Sequence, residues 1–414
     1  MAKILKNNTF RLITALILGV IFGGIMKFLP DWMYVDDIIV NGFFRLLGNG
    51  FLELVKMTVM PLVFVSLVCG VSSFGDTKKL GSVGIKTLTV FFVTTLMAIV
   101  LAISLALIFK PGIGLNMNLV SQNTQYIPKQ AKSVIDIMLD IIPSNPIKAM
   151  SKGNLLQVLV FALFFGISLG SVGKEAEPLI KIFSIINDCI MKIVSMIMAI
   201  TPIGVFALIS NTVYSIGFES LLGILKMSIV VVLALVIQSF VVYGLIYKLF
   251  TGFSFKKFLK NYTKIAGIAF STSSSNAALP FSMEMMEKMG VNKAIYRFVL
   301  PIGATINMAG TAVMQGVSAV FIAQAYGLDL SLSSMITITV TAILASVGAA
   351  GVPGVGMIMM TMVLESAGLP VEGIALILGI DRLLDMLRTV VNVMGDCICA
   401  VVVAKSENDI SIKA

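Results

Sequence analysis

The sequence predicts an all-α polytopic membrane protein, and three observations carry this prediction. Hydrophobic residues make up 58% of the 414 residues and charged residues only 12%, more apolar surface than a soluble domain of this size needs. The apolar residues form long continuous runs, unlike the short alternating segments of a β-barrel. Lys and Arg, which give a net charge of +9, lie in short loops between these runs. The positive-inside bias explains this placement better than nucleic-acid binding, so no nucleic-acid partner is expected.

The first half of the chain is predicted to hold six spans. Basic residues precede the first apolar run, residues 12–29, which places the N-terminus in the cytoplasm. The second run, residues 38–71, contains Pro61 and should be kinked there. A basic cytoplasmic loop leads to the third run, residues 83–108, and residues 110–152 are predicted to form an external loop with short, broken helices. The three remaining runs are residues 155–172, 179–208 and 221–249.

The pattern changes after a strongly basic, cytoplasmic loop at residues 248–264. The run at residues 266–286 is interrupted by small polar residues at 271–276. Backbone that leaves a helix at membrane depth must be buried in protein or line a wet cavity, so a re-entrant hairpin with its tip at residues 273–277 is predicted. Two more interrupted runs follow, residues 296–326 with the break NMAGT and residues 335–363 with a Gly- and Pro-rich second hairpin tip.

The last apolar run, residues 371–403, carries a single polar stripe. Its five members are spaced so that on an α-helix they fall within an arc of roughly 80°. A charged side chain at mid-bilayer costs at least ~2.5 to 3.5 kcal/mol, so such residues persist where they face a partner, a cavity or a ligand. A hairpin followed by a broken helix, twice in succession, is typical of an inverted repeat with a mid-membrane binding site. The stripe consists of Asp381, Asp385, Arg388, Asn392 and Asp396.

The chain contains no His and four Cys, at positions 69, 189, 397 and 399 within apolar runs. The cysteines are interpreted as reduced packing residues. Without His or a CxxC pair, neither a zinc site nor Ser–His catalysis is expected. An enzyme is therefore not predicted.

The motifs SSSN, NMAGT, SVGAAGVPGVG and DRLLDMLRTVVNVMGD occur in this order. Their sequence and spacing resemble the dicarboxylate/amino acid:cation symporters, which include the excitatory glutamate transporters, over essentially the whole chain. The resemblance implies the elevator-type glutamate transporter fold: eight transmembrane helices plus two re-entrant helical hairpins. It implies a homotrimer embedded in lipid of the inner (plasma) membrane, with both termini cytoplasmic. It divides the chain into scaffold residues 1–82 and 110–212 and transport-domain residues 83–109 and 213–414.

The resemblance also implies a site for an acidic amino acid. The position of Arg388 reads the side-chain carboxylate, Asp385 accepts hydrogen bonds from the α-ammonium group, and Asn392 contacts the α-carboxylate. A guanidinium group where water is scarce can hold a carboxylate bidentately, and the alternative is an internal salt bridge to Asp385 or Asp381. For the hairpin serines the alternative is ordinary loop polarity. The other positions that match substrate contacts are Ser274, Ser275, Thr311, Val352, Gly356 and Thr389.

Asp396 is expected to be a buried anion without a basic partner one turn away. A hard cation with oxygen ligands would neutralise it, and the alternative is a protonated or water-satisfied carboxyl group. The resemblance places one sodium ion there and a second nearby. The first sodium would be held by Asp396 and by backbone oxygens of Gly303, Asn307 and Asn392, and the second by backbone oxygens of Thr305, Ser346, Val347 and Ala349.

Ala309 departs from the family pattern. Sodium-coupled relatives often have Asp at this position, which completes a third sodium site with hydroxyl groups that correspond to Thr94 and Thr95. Without the carboxylate, fewer coupled sodium ions are expected than in three-sodium relatives. Gln315 stands where potassium-coupled animal relatives have Glu, so proton or potassium coupling through that residue is not expected.

The predicted function is sodium-coupled symport of glutamate or aspartate by elevator alternating access, with the preference between the two left open. NMAG also occurs in relatives that carry serine and threonine, so a neutral amino acid carrier is one alternative, and a C4-dicarboxylate symporter is another. An ion channel, with its pore lined by the broken helices, is an alternative of a different class. An intramembrane enzyme is disfavoured because the sequence offers no nucleophile–base pair or metal cluster.

Overall fold

The structure, a computed structural model, describes residues 8–28, 34–72, 81–115, 142–153, 155–216, 219–348 and 355–408. These residues are helical apart from turns and short connections, as expected for apolar segments that must satisfy their own backbone hydrogen bonds. The helices are α1 (Asn8–Phe28), α2 (Arg45–Ser72), α3 (Gly81–Phe109), α4 (Pro146–Ser151), α5 (Leu155–Val172), α6 (Glu177–Ala199), α7 (Thr201–Ile216), α8 (Glu219–Ile237), α9 (Tyr243–Thr251), α10 (Phe255–Thr272), α11 (Ser275–Lys288), α12 (Lys293–Ile306), α13 (Ala309–Ala325), α14 (Leu332–Gly348), α15 (Val355–Ala367) and α16 (Ile374–Ser406).

Several of these helices are long and apolar enough to cross a membrane. By length and composition the described residues contain 4 such stretches, or up to 5 if a pair bent by 50° counts as one span. The prediction of a polytopic all-α protein is therefore confirmed, while the eight-span count stays a prediction. The 4 stretches are Gly81–Phe109, Leu222–Thr251, Lys293–Ala325 and Leu376–Ser406, and the bent pair is Val160–Ile197 with Thr201–Asn211.

The first half differs from the predicted runs in three places. The second run begins as a π-helical segment, Tyr34–Phe44, and α2 continues through Pro61 as a helix. The run predicted at residues 179–208 is divided into α6 and α7, because Pro202 lacks the N–H that would continue the ladder of α6. A π-helical segment, Gln238–Val242, joins α8 to α9. Most of the segment expected to hold short, broken helices, residues 110–152, lies outside the described residues, and its described part contains α4.

The stretch predicted as a basic loop, residues 248–264, is instead mostly helical, within α9 and α10, whereas the three interruptions predicted in the second half coincide with helix ends. Between α10 and α11, Ser273 adopts a left-handed conformation with φ of 51°, and the Ser274 hydroxyl accepts a hydrogen bond from the backbone N–H of Ala277 at 3.3 Å. The NMAGT motif separates α12 from α13. Helix α14 ends at Gly348 and α15 begins at Val355, so the second tip, with Ala349 and Val352, lies outside the described residues.

The helices pack into two groups. In one, α1 lies against α7, and α2 lies against α5, α6 and α7. In the other, α16 contacts α8, α9, α10, α11, α12, α13 and α15, and α3 packs along α13. Helix α16 therefore lies at the centre of the second group, where its polar stripe is surrounded by protein.

Polar contacts fasten both ends of α3. At one end, Lys86 Nζ lies 2.5 Å from Glu407 Oε1, just beyond α16, and the Ser82 hydroxyl donates to the same oxygen at 2.7 Å. These hydrogen bonds lower the pKa of Glu407. At the other end, Gln324 Oε1 accepts a hydrogen bond from Gly112 N at 3.0 Å, and Gln324 Nε2 donates to Ala106 O at 3.3 Å.

Candidate functional site

The polar stripe lies on one unbroken helix, α16, and every member is buried. Arg388 is 1% exposed and is the largest of the fully buried side chains in the described chain. A buried guanidinium is tolerated only where carboxylates or a ligand neutralise it. The stripe is therefore an ionic site enclosed by packed helices.

Arg388 pairs with two carboxylates of its own helix. Its Nη2 atom donates to Asp385 Oδ1 at 2.8 Å and lies 2.9 Å from Asp381 Oδ1. Arg382 Nη1 lies 3.9 Å from the other oxygen of Asp385. Arg388 Nε and Nη1 are buried without a hydrogen-bond partner among the described residues. The internal salt bridge left open by the sequence is thus present, and it leaves two donors for a further anion.

Two other helices converge on the guanidinium of Arg388. A Cβ atom at Gly356, on α15, would lie 3.2 Å from Arg388 Nη2 and 3.4 Å from Thr311 Cγ2, on α13. These three expected substrate residues, distant in sequence, are therefore neighbours. The absence of a side chain at Gly356 keeps the space beside the guanidinium open.

Asn392 ties α16 to the break between α12 and α13. Its Oδ1 accepts a hydrogen bond from Gly310 N at 2.7 Å, and its Nδ2 lies 3.4 Å from Thr311 Oγ1 and 3.2 Å from Met308 Sδ. Thr389, also buried, donates its hydroxyl to Asp385 O at 2.7 Å. Asn392 thus positions the start of α13 beside Arg388.

Asp396 faces the same break one turn further along α16. Asn307 Nδ2 donates to Asp396 Oδ1 at 2.8 Å and to Asn392 O at 3.2 Å, while Asn307 Oδ1 has no hydrogen-bond partner in the described structure. No Lys or Arg of the described residues lies within ion-pair distance of Asp396. A carboxylate beside an unpartnered amide oxygen is a donor set that suits a hard cation.

Glycines allow the backbones to approach at this point. A Cβ atom at Gly303 would lie 2.5 Å from Asp396 Oδ1, and one at Gly310 would lie 2.6 Å from Arg388 O. At Gly395 it would lie 2.3 Å from the hydroxyl of Tyr243 and 2.6 Å from Asn307 Nδ2. Contacts below 3.0 Å are not tolerated by real side chains, so α12, α13 and α16 meet here only because these residues are glycines.

Three of the residues expected at a second sodium, Thr305, Ser346 and Val347, lie on α12 and α14, which pack together, and Ala349 is outside the described residues. Thr305 Oγ1 donates to Ile302 O at 2.9 Å, and Ser346 Oγ donates to Ile343 O at 2.6 Å. Both hydroxyls are thus used within their own helices. Val347 lies in the last turn of α14.

A further group of buried polar residues lies on α3 and between α8 and α9; α3 packs along α13, which begins at the fully buried Ala309. Thr94 and Thr95 are buried on α3, and Gln238 Nε2 donates to Thr94 O at 3.2 Å. The side-chain oxygens of Gln238 and Tyr243 have no hydrogen-bond partner in the described structure. Sequence reasoning missed both residues, although a Gln within the apolar run of α8 and α9 is itself a signal.

The first hairpin tip lies at the start of α11, which packs against α12 and α16. Ser275 is buried and Ser274 caps the helix.

Gln315, one turn beyond Thr311 on α13, is fully buried, and both of its side-chain polar atoms are unpartnered within the described chain.

Comparison with known proteins identifies the chain's relatives. The model of the sodium:dicarboxylate symporter family matches residues 9–406. The chain is 38% identical over 404 residues to a proton/sodium-glutamate symport protein of Geobacillus stearothermophilus, covering 96% of this chain and 94% of that protein. It is 36% identical over 417 residues to a proton/glutamate-aspartate symporter of Escherichia coli (strain K12), covering 99% and 94%. A C4-dicarboxylate transport protein of Bacillus subtilis (strain 168) is 35% identical over 412 residues, covering 98% and 95%.

The family and these relatives are membrane transporters, so this chain is a multi-pass membrane transport protein and not an enzyme. The match spans the helices that build the ionic site, from α3 to α16. The chain therefore belongs to the sodium:dicarboxylate symporter family.

Proposed function

We propose that the protein is a sodium-coupled secondary active symporter of acidic amino acids, glutamate or aspartate. The single observation that carries this proposal is the buried guanidinium of Arg388, which has two unpartnered donors and converges with Thr311 and Gly356. Curated relatives named for glutamate and aspartate symport support it.

The site supplies a complementary group for each charge of an acidic amino acid. Arg388 Nε and Nη1 would hold the side-chain carboxylate bidentately, with the Thr311 hydroxyl beside it. Asp385 would accept hydrogen bonds from the α-ammonium group, Asn392 would contact the α-carboxylate, and Thr389 would also touch the substrate. Arg388 and Asp385 form an ion pair with each other in the structure. In the complex, the carboxylate and ammonium groups of the substrate would pair with these two side chains. Ser274, Ser275 and Val352 would close the site from the two hairpin tips.

Sodium would bind at the α12–α13 break. Asp396 would supply the charge, and backbone oxygens of Gly303, Asn307 and Asn392 would complete the first site. A second ion would be held by backbone oxygens of Thr305, Ser346, Val347 and Ala349. Asn307 and Asn392 connect Asp396 to the substrate residues through hydrogen bonds, so sodium would order the same backbone that binds substrate. Each ligand would then raise the affinity for the other.

Fewer sodium ions would be coupled than in three-sodium relatives. Ala309 supplies no carboxylate beside Thr94 and Thr95, and the neutral oxygen of Gln238 is a weak substitute for one. A third ion would therefore bind weakly or not at all.

Transport would proceed by an elevator movement in a homotrimer. The division of the helices into two packed groups supports this, because it matches a scaffold of residues 1–82 and 110–212 and a transport domain of residues 83–109 and 213–414. Orientation would follow the basic loops, with both termini in the cytoplasm of a plasma-membrane protein.

The second candidate is C4-dicarboxylate symport, which the 35% identity to a C4-dicarboxylate transport protein favours. Arg388 would hold one carboxylate of a diacid equally well. Asp385 argues against this candidate, because a plain dicarboxylate has no ammonium group to offer it. A neutral amino acid carrier is disfavoured because it has no use for the free donors of Arg388.

Uptake into proteoliposomes tests the proposal. Labelled glutamate, aspartate, serine and succinate are supplied while sodium, proton and potassium gradients are imposed separately. The proposal predicts saturable glutamate or aspartate uptake driven by an inward sodium gradient. Preferential succinate or serine uptake would establish the corresponding alternative, uptake driven by a proton gradient alone would remove sodium coupling, and current without saturable counterflow would indicate a channel.

A further inference from the structure

Helix α10 carries four exposed lysines on its outer face, although the helix packs among membrane helices, and towards its end Phe270 is also exposed. Phe258, Tyr262, Ile265 and Ala269 are buried on one face, and Lys256, Lys257, Lys260 and Lys264 are exposed on the other. The helix carries no acidic residue. At ~100° per residue, the lysine face is centred almost opposite the buried face.

The neighbouring α8 and α9 show what a lipid-facing surface looks like in this protein. The exposed side chains along the middle of these helices, from Ile229 to Leu245, are apolar, and exposed lysines occur only near their ends, at Lys226 and Lys248. By contrast, α10 is not among the helices apolar enough to cross a membrane, although it is 18 residues long. Lipid does not solvate a row of lysines, so the outer face of α10 must meet water.

The lysines extend from the start of α10 to the depth of the substrate site. The hydroxyl of Tyr262 donates to Val390 O at 2.6 Å, between Arg388 and Asn392 on α16. Lys264 is therefore level with the ionic site, roughly 14 Å along the helix from its first residue. The positive-inside bias covers residues within ~15–20 positions of a span, so it applies to all four lysines, but it does not require them to share one helix face.

The exposed row continues towards the hairpin tip. On a helical projection its members fall within an arc of roughly 80°, and the helix then ends at the serine-rich break. Like charges four residues apart disfavour a helix, so local stability does not explain this arrangement. The members of the row are Lys256, Lys260, Lys264, Gly267 and Ser271.

The positive charge of the row is balanced only in part by neighbouring groups. Among the described residues no carboxylate lies within ion-pair distance of Lys256, Lys260 or Lys264. On the adjacent α11, Glu284 is paired with Lys288 at 2.6 Å and also interacts electrostatically with Lys264. Lys264 Nζ lies over the ring of Phe281, 5.6 Å from its centroid.

We propose that the lysine row of α10 lines a water-filled path between the cytoplasmic side and the substrate site, and that its positive potential concentrates the anionic substrate there. The path is a specificity element beyond the site itself, because it favours anions before any contact with Arg388. The concentration of substrate by the path rests on the proposed function, in which the transported substrate is an anion. Charged walls of one sign raise the local concentration and the association rate of the opposite charge.

A thiol introduced at Gly267 measures the potential without any substrate. A Cβ atom at Gly267 meets nothing within 4 Å, so Gly267→Cys places a probe on the row without a clash. The background carries Cys189→Ser, because Cys189 is the exposed native cysteine. The reaction rates of the introduced thiol are measured with an anionic sulfonate-bearing and a cationic ammonium-bearing methanethiosulfonate, and the same background without Gly267→Cys corrects for the other thiols.

The anion-to-cation rate ratio should exceed that of a free thiol by about tenfold at low ionic strength, and this excess should shrink as salt shortens the Debye length. The triple variant Lys256→Gln, Lys260→Gln and Lys264→Gln should abolish most of the excess, and Lys264→Gln alone should remove part of it. A matched triple variant at Lys174, Lys181 and Lys192, exposed lysines on or beside α6, should leave it unchanged. A thiol inert to both reagents, or a ratio indifferent to the α10 lysines, would overturn the proposal.

Oriented membrane vesicles test the effect on transport. In inside-out vesicles the α10 triple variant should raise the KM for glutamate or aspartate several-fold and weaken its dependence on salt, with the KM in right-side-out vesicles unchanged. An equal KM in both orientations, despite normal wild-type transport, contradicts the path. If wild-type vesicles carry neither amino acid, the proposed function fails, and the thiol ratios still decide whether the path is electropositive.

Discussion

Gly303→Ala is expected to separate sodium binding from folding. Gly303 lies in the last turn of α12, and a Cβ atom there would lie 2.5 Å from Asp396 Oδ1 and 2.7 Å from Asp396 Cγ. The position is helical, so alanine costs the backbone nothing, and the whole effect comes from the collision with the carboxylate. The carboxylate must therefore move out of the place where it would meet sodium.

The expected size of the effect follows from the overlap. An extra methyl group in a packed interior costs ~1 to 3 kcal/mol when neighbours must shift. If this cost falls on the sodium-bound arrangement, the sodium concentration for half-maximal substrate binding rises roughly 5- to 150-fold. Substrate affinity should recover at saturating sodium. Sodium and substrate binding are linked, so a high sodium concentration fills the weakened sodium site and restores the affinity for substrate.

Sodium titrations of glutamate or aspartate binding by calorimetry measure this change. Gly267→Ala is the matched control, because the new methyl group there meets nothing within 4 Å, and sodium dependence should stay at the wild-type level. Thermal unfolding of both variants reports folding separately. An unchanged sodium midpoint in Gly303→Ala, with the protein folded, would refute the assignment of the cation to Asp396.

Three further changes address substrate choice, ion count and the end of α3. Arg388→Cys should lower glutamate and aspartate affinity by roughly 100-fold or more, because the charge-assisted hydrogen bonds to the side-chain carboxylate are lost, and uptake assays with serine as the comparison check this. Ala309→Asp should raise the sodium-to-substrate flux ratio by restoring a carboxylate beside Thr94 and Thr95, and an unchanged ratio would remove the explanation based on Ala309. The pKa of Glu407 is lowered by its hydrogen bonds from Lys86 and Ser82, so the contact stabilises the fold above the ordinary Glu range and is lost as pH falls through the lowered pKa. Thermal unfolding against pH should show this decline in the wild type and a weaker one in Lys86→Met.

The helical periodicity of the sequence was enough to predict the polar stripe. Charged residues that recur every three or four positions in an apolar run can only share one helix face, and α16 carries them without a break. The interruptions at residues 273–274 and 307–308 could also be predicted from the sequence. Small polar residues and a buried Asn within an apolar run do not suit a simple lipid-facing helix. These features depend only on local chemistry.

Features that depend on which helices touch could not be predicted from periodicity. The closeness of Gly303 to Asp396 and of Gly395 to Tyr243 arises where three helices meet, and a glycine in an apolar run does not reveal its neighbour. The pairing of Arg388 with both Asp381 and Asp385 was one of two open alternatives, because helix spacing permits the salt bridge and an external ligand alike. The division of α6 from α7 was missed because apolar residues continue on both sides of Pro202.

Under the proposed function, Arg388 and Asp385 remain buried because an acidic amino acid, together with sodium, satisfies their charges. Isothermal titration of the purified protein with glutamate and with aspartate, in NaCl and in choline chloride, tests this directly. We expect saturable heat for at least one of the two amino acids in NaCl, and binding weakened by at least about tenfold in choline chloride. No heat with either amino acid in abundant NaCl, or equal affinity in both salts, would contradict it.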